Sequence, residues 1–248
     1  MSDEYKDYYE TIAPVFGQVR LDRAREIETT IAIIRRHVSP EEGYILDVGC
    51  GTGRYSVPLK EYGYTVVGID KSISQLRYVP TSIPFVCASA TALPFGNDIF
   101  AACLVVLVIH QVPTEDRTKL IEESWRVLKA KGKLIIKTCS FDDLRKRPFN
   151  SFFPSGLKIN LKRYPDIPYI ERQLKESGFS NVDVIPTYTE ELFEKNELLS
   201  SIKHKHNTTL NLIPAEEFNK GYDEIEMFYA DQDQIRLPHY HTMIIAEK

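Results

Sequence analysis

The residues best suited to chemistry fall in one short run, Tyr44-Ile-Leu-Asp-Val-Gly-Cys-Gly-Thr-Gly53. An apolar stretch that runs into three closely spaced glycines makes a bare backbone surface. Glycine tolerates positive φ and lets a ligand approach the main chain. Two carboxylates flank the turn: Asp47 within the apolar stretch, and Asp70 at the end of Thr65-Val-Val-Gly-Ile69. A carboxylate at Asp70 can accept both hydroxyls of a ribose, which points to adenosine, and as an alternative it caps the segment that follows. The nicotinamide dinucleotide fingerprint Gly-x-Gly-x-x-Gly does not fit, because its third glycine falls on Arg54 in one frame and on Ser56 in the other. A carboxylate at Asp47 is also poorly placed beside a pyrophosphate. It favours a ligand carrying an ammonium or sulfonium group.

These residues need elements to position them. Leu21, Ala24, Ile27, Ile31, Ile34 and Val38 form one helical stripe. Strands are predicted at 45–48, 65–69, 85–87, 100–109 and 133–138. Helices alternate with them at 54–62, 72–78 and 116–128, which describes a parallel sheet covered on both faces. After Cys139 the rhythm is lost: residues 141–165 show no period. A helix at 167–174, a strand at 181–185 and a terminal strand at 242–246 follow. Helices near 192–203 and 216–229 fill the interval as a late insertion. The expected fold class is α/β, a doubly wound, seven-stranded, mainly parallel Rossmann-like sheet. The expected organisation is one domain over 1–248: an N-terminal helical lid at 1–39, a cofactor-binding core at 40–140, and substrate-side elements at 141–248.

Bulk properties narrow the function. The formal net charge of −4 offers no general attraction to phosphate backbones, which argues against a nucleic-acid partner. No apolar run approaches the roughly 20 residues needed to span a bilayer, so no membrane association is expected. The polar start Met-Ser-Asp-Glu-Tyr is unlike a signal peptide, which makes the cytoplasm the expected location. The cysteines Cys50, Cys87, Cys103 and Cys139 are scattered and read as free thiols.

Ile45-Leu-Asp-Val-Gly-Cys-Gly-Thr-Gly-Arg54 resembles the first motif of class I S-adenosylmethionine-dependent methyltransferases, within the group that modifies small molecules. The resemblance extends over roughly 40–140. It takes in Gly68-Ile-Asp-Lys-Ser72 as the ribose segment, Ala88-Ser-Ala-Thr-Ala-Leu-Pro-Phe95 as the adenine segment and Ile109-His-Gln-Val-Pro113 as the turn after strand four. Tyr9-Glu-Thr-Ile-Ala-Pro-Val-Phe16 is similar to a segment that folds over the cofactor. The resemblance implies S-adenosylmethionine as cofactor, contacted by Tyr9, Asp47, Gly49, Cys50, Gly51, Gly53, Asp70, Lys71, Ser89, Ala90 and Val106. Ser89 stands where the family usually has an aspartate that binds the adenine amine, so a shorter, neutral acceptor replaces a carboxylate there.

Methyl transfer from a sulfonium relies mainly on positioning, and a base is needed only for a protonated acceptor. His110, after strand four, is the candidate base or substrate contact; its alternative is to order the turn. Tyr5 and Tyr8 are candidates for the lid, and Arg20 for the cofactor carboxylate. Phe149, Phe152, Phe153 and Tyr164 are read either as an acceptor pocket or as a satellite hydrophobic cluster. The basic runs 145–147 and 203–206 read as solvated faces. His239-Tyr-His241 lacks the ligand count of a metal site. The expected activity is transfer of a methyl group to a small-molecule acceptor. A tRNA or protein methyltransferase, and a non-enzymatic protein that binds the cofactor, stay as alternatives.

Overall fold

The structure, a computed structural model, describes residues 24–248. Tyr5, Tyr8, Tyr9 and Arg20 lie outside the described residues. Strands β1 (Tyr44–Val48), β2 (Thr65–Asp70), β3 (Phe85–Cys87), β4 (Phe100–Val106), β5 (Leu128–Thr138), β6 (Ser180–Glu194) and β7 (Gln234–Glu247) form one sheet in the order β3-β2-β1-β4-β5-β7-β6. β1 to β5 pair in parallel, and β7 runs antiparallel to both β5 and β6. The chain switches direction across the sheet between β1 and β4. That is where open α/β sheets leave a crevice at the carboxyl ends of their strands.

Side chains alternate between faces along a strand, and β1 shows what this does. Leu46 and Val48 join one buried layer with Leu120 and Ile121 of α4 (Arg117–Val127) and Ile170 and Leu174 of α7 (Ile167–Glu176). Ile45 joins the opposite layer with Ile31 and Ile34 of α1 (Ala24–His37) and Leu59 of α2 (Ser56–Glu61). All of β4 is buried, as expected for the central strand of a sheet covered on both sides. Each such aliphatic side chain contributes about 1.5–3 kcal/mol by leaving water.

Several boundaries differ from the sequence expectation, each for a local reason. α2 begins at Ser56 and not at Arg54, with Pro58 in its first turn, where a missing N–H costs no helical bond. Strand four stops at Val106 because Leu107 takes φ +57 and turns the chain into a 3-10 helix, Ile109–Gln111. The aperiodic stretch after Cys139 contains α5 (Phe141–Arg145) and α6 (Pro154–Arg163). A reciprocal cap holds α5: Ser140 Oγ accepts from Asp143 N–H at 3.1 Å, and Asp143 Oδ2 accepts from Ser140 N–H at 2.8 Å. Between α2 and α4, the short α3 (Ile73–Leu76) follows β2.

The late insertion needs the largest correction. Residues 187–194 and 234–241, assigned to it from sequence, continue β6 and β7 as one long antiparallel arm. Only α8 (Lys195–Lys203), a 3-10 turn (Leu210–Leu212) and α9 (Ala215–Phe228) lie between the two strands. Phe193, Ile235 and Leu237 of the arm pack on Leu198, Ile202, Phe218 and Ile225 to make a separate core. None of the described helices is long and apolar enough to cross a membrane.

Candidate active site

The glycine turn is fastened to the end of β2. Gly49 N–H and Cys50 N–H both donate to Ile69 O, at 2.7 and 2.9 Å. Gly49, Gly51 and Gly53 all take positive φ, at +72, +56 and +83. At Gly49 a Cβ would also lie 2.5 Å from Val108 Cγ2, so the strand-four turn closes directly over the glycine.

Asp70 closes the other side. Its Oδ2 accepts from Gly51 N–H at 2.9 Å and its Oδ1 from Ser72 N–H at 2.8 Å, the Lys71 N–H also serves this carboxylate, and lone-pair capacity remains for a ligand. Ser72, and not Asp70, caps α3, since Ser72 Oγ accepts from Gln75 N–H at 3.3 Å. Burial raises the Asp70 carboxyl above its ordinary range against the pull of these N–H groups. Asp70, Gly49, Cys50, Gly51, Lys71, Ser89, Ala90 and Val106 line a cavity of about 240 Å³ at the β1–β4 switch point.

Gln75 lines the same cavity and is 2% exposed, yet neither of its amide atoms has a hydrogen-bond partner. A buried amide left in that state costs free energy unless a ligand answers it. The remaining acceptor capacity of Asp70, an unanswered amide and a glycine cradle make a fitting site for an adenosyl group.

A second cavity, of about 300 Å³, adjoins the first, and both are lined by Leu107 and Gln111. Its walls come from the 3-10 helix after β4, from the α5–α6 region, from α8 and the segment after it, and from the outer half of β7. His110 lies in its wall, stacked on Tyr164 with ring centroids 4.0 Å apart. Arg163 Nη2 donates to Gln111 Oε1 at 2.9 Å, so the Gln111 amide nitrogen is the atom 3.0 Å from His110 Nε2. An amide nitrogen only donates, which assigns the imidazole proton to Nδ1, a buried atom with no partner. Burial, followed by the charges of Arg163, Arg147 and Arg117, pushes the His110 pKa well below its ordinary value. The imidazole is therefore neutral and poorly basic, so of the two expected roles, base or substrate contact, the geometry favours the contact, made as a hydrogen-bond donor.

The sequence model of a methyltransferase domain family matches residues 46–136, the span from β1 to β5 that carries the first cavity. The matched residues form a methyltransferase domain. It is 29% identical over 211 residues to a demethylmenaquinone methyltransferase of Clavibacter sepedonicus, covering 74% of this chain and 82% of that one. It is 28% identical over 171 residues to an uncharacterised protein of Methanocaldococcus jannaschii, covering 66% and 77%. The crystal structure of an Anabaena variabilis protein, described as a methyltransferase from an antibiotic biosynthesis pathway, superposes with a TM-score of 0.73 at 20% identity. That match covers 92% of this chain and 98% of the other.

Two of the sequence-predicted cofactor residues sit away from the first cavity. Asp47 is not among its lining residues. It shares the face of Ile45, is 2% exposed, and accepts from Ser56 Oγ at 2.6 Å, so it braces α2 from behind the turn. Gly53 also stays outside; its N–H donates to Cys50 O at 2.9 Å and its φ lets the chain leave the turn. Ser89 does line the cavity, but its hydroxyl is engaged locally, 2.8 Å from Thr91 Oγ1 and 3.2 Å from Thr91 N. Tyr9 lies outside the described residues.

The aromatic residues divide. Phe149, Phe153 and Tyr164 line the second cavity, whereas Phe152 packs edge-on against Phe228. The basic runs are not simply solvated: Arg147 and His206 line that cavity, while Arg145 and Lys203 are exposed. His239 and His241 line it as well, and no group of three metal-ligating side chains occurs among the described residues.

Sequence reasoning missed a buried polar lock. Lys137 of β5, 1% exposed, donates to Glu26 Oε1 and, at 2.7 Å, to Thr30 Oγ1. Glu26 also takes the Tyr55 hydroxyl at 2.6 Å, and its N–H donates to Glu191 Oε1 at 2.8 Å. The lock ties α1, β5 and β6 to Tyr55, just past the glycine turn. A lysine among the apolar residues of strand five was the one sequence signal for it.

Proposed function

We propose that the protein transfers a methyl group from S-adenosylmethionine to a small molecule seated in the second cavity. The observation that carries this reading is the adjacency of the two cavities at Leu107 and Gln111, at the carboxyl end of β4. The cofactor supplies an electrophilic methyl on a sulfonium, for in-line displacement. The chain's own part is positioning, which is worth roughly 7–11 kcal/mol in favourable cases.

Asp70 and Gln75 would hold the ribose side, the backbone of Gly49, Cys50 and Gly51 the remainder of the cofactor, and Ala88 to Ala90 the adenine. Lys71 and Val106 complete the wall, and Tyr9 would close over the cofactor as the family resemblance implies. Leu107, held at φ +57, and Gln111, held by Arg163, would define the passage between donor and acceptor. A cavity of about 300 Å³ walled by secondary structure suits a small molecule better than a tRNA or a protein segment. The relationship to a demethylmenaquinone methyltransferase supports the same class of acceptor.

Gly156 of α6 provides the test. A Cβ there would meet Ile213 and Thr209, two cavity-lining residues, at ordinary contact distances of 3.5 and 3.7 Å. Gly156→Leu should fill the cavity, leave S-adenosylhomocysteine affinity within about twofold, and abolish methyl transfer in an acceptor screen read by S-adenosylhomocysteine release. Undiminished turnover in the variant would place the acceptor elsewhere.

A further inference from the structure

We infer that the acceptor is an organic acid, bound as its anion with the charged oxygens toward Arg147 and an apolar body along the apolar side chains of the second cavity. The inference rests on that cavity being the acceptor site. Arg147 lines it, and no carboxylate among the described residues forms an ion pair with this guanidinium. Its neighbours are weak or neutral partners: Cys139 Sγ at 3.2 Å and the Tyr164 ring, 5.6 Å from its central carbon. Asp143 of nearby α5 turns its Oδ2 to Ser140 N–H and to the Thr242 hydroxyl, the latter at 2.7 Å, and makes no ion pair with Arg147. Arg147 is partly withdrawn from water without a counter-ion, and a bound anion offsets the cost of that with bidentate geometry.

The rest of the lining agrees in sign. The described lining residues include no Asp or Glu, and Arg147 is their one permanent charge. Outside the lining, Arg163 donates to Gln111 and Arg117 donates to Arg163 O at 2.6 Å, which adds two guanidiniums behind the wall. Four of the chain's six histidines line the cavity. Burial and these cations keep His110 neutral, and burial lowers His206 too, so both present uncharged rings. An ammonium acceptor would meet no counter-charge here. The lining also includes the apolar side chains of Phe149, Phe153, Phe193, Leu198, Ile202 and Leu237, which suit a ring or a branched chain.

The test compares three probes of one shape and different charge: 2-naphthoate, 2-naphthalenemethanol and 2-naphthylmethylamine. Each is titrated by calorimetry into protein saturated with S-adenosylhomocysteine. The naphthoate should bind at least tenfold more tightly than the alcohol, and the amine should bind more weakly than either. Arg147→Gln should erase the preference for the acid, Arg147→Lys should restore part of it, and Gly156→Leu should remove all three. Unchanged S-adenosylhomocysteine affinity shows that each variant is folded.

Equal or tighter binding of the amine, still abolished by Gly156→Leu, would overturn the acid preference while leaving the cavity as the acceptor site. Naphthoate binding indifferent to Gly156→Leu would instead remove the cavity from its role, and the inference with it. Absence of naphthoate binding to protein that holds S-adenosylhomocysteine would refute the inference as well.

Discussion

Replacing Asp47 by asparagine should stabilise the protein at neutral pH, and the size of the gain follows from where the carboxylate sits. Burial is the main cause that raises the Asp47 pKa from 3.8 to about 6, and the charge of Asp70 adds to it, against the opposing hydrogen bond from Ser56. In the unfolded chain the group titrates near its ordinary value. Between these two values the folded state binds more protons than the unfolded state, so stability falls as pH rises through the window. A gap of about two pH units corresponds to a penalty of about 3 kcal/mol, complete above pH 6 and absent well below pH 4. Asparagine keeps an oxygen for the Ser56 hydroxyl and carries no charge. Urea denaturation of both proteins should therefore show an advantage for the Asp47→Asn variant that grows by about 1–2 kcal/mol between pH 5 and pH 7.5. A difference that stayed constant with pH, or wild type gaining on the variant as pH rises, would refute the argument that burial dominates at this carboxylate.

Two further substitutions probe the donor side. Asp70→Asn should weaken S-adenosylhomocysteine binding by about tenfold to a hundredfold, the loss of a charge-assisted hydrogen-bond pair, whereas His110→Ala should leave that affinity within about twofold and lower methyl transfer; calorimetry and turnover read the two effects separately, and equal loss of affinity in both would contradict the division of roles. Gly49→Ala should be among the most damaging single changes in the core, because the new Cβ meets Val108 at 2.5 Å and the residue must hold φ +72. Adding Val108→Ala should recover part of the thermal stability by removing the clash but not the backbone strain; full recovery would mean that φ imposes no cost there.

What the sequence reveals and what it hides follow from the range of the interactions. The turn at Gly49 to Gly53 and the strands beside it are legible because their signals are local: apolar runs, closely spaced glycines, an acid at a strand end. The position of Asp47 was also within reach, since alternation along β1 puts it on the face of Ile45, but the pull of a cationic ligand outweighed that geometry. His110 could not be read this way. Its tautomer and low basicity depend on Gln111, Arg163 and Arg147, which the fold brings together from three segments. The outer halves of β6 and β7 were hidden because Glu190, Glu191 and Glu194 disguise the alternation. Glu191, 6% exposed, is buried only because the Glu26 N–H comes from the far end of the described chain to meet it.

The place of β7 in the sheet also dictates an order of events during synthesis. β6 occupies the edge and pairs with β7 alone, so this fifteen-residue strand emerges from the ribosome before the only strand that can cover it. A long nascent strand without its neighbour invites pairing with other chains. β6 carries its own deterrents: Pro186 interrupts the donor row, and Asp183, Glu190, Glu191 and Glu194 spread negative charge along it. The residues that blurred its reading as a strand are the ones that keep a waiting strand from aggregating. Neutralising Glu190 and Glu194, which stand outside the buried lock, should leave the donor cavity of the finished chain intact and yet cut the soluble yield, because the damage would fall on the unfinished chain.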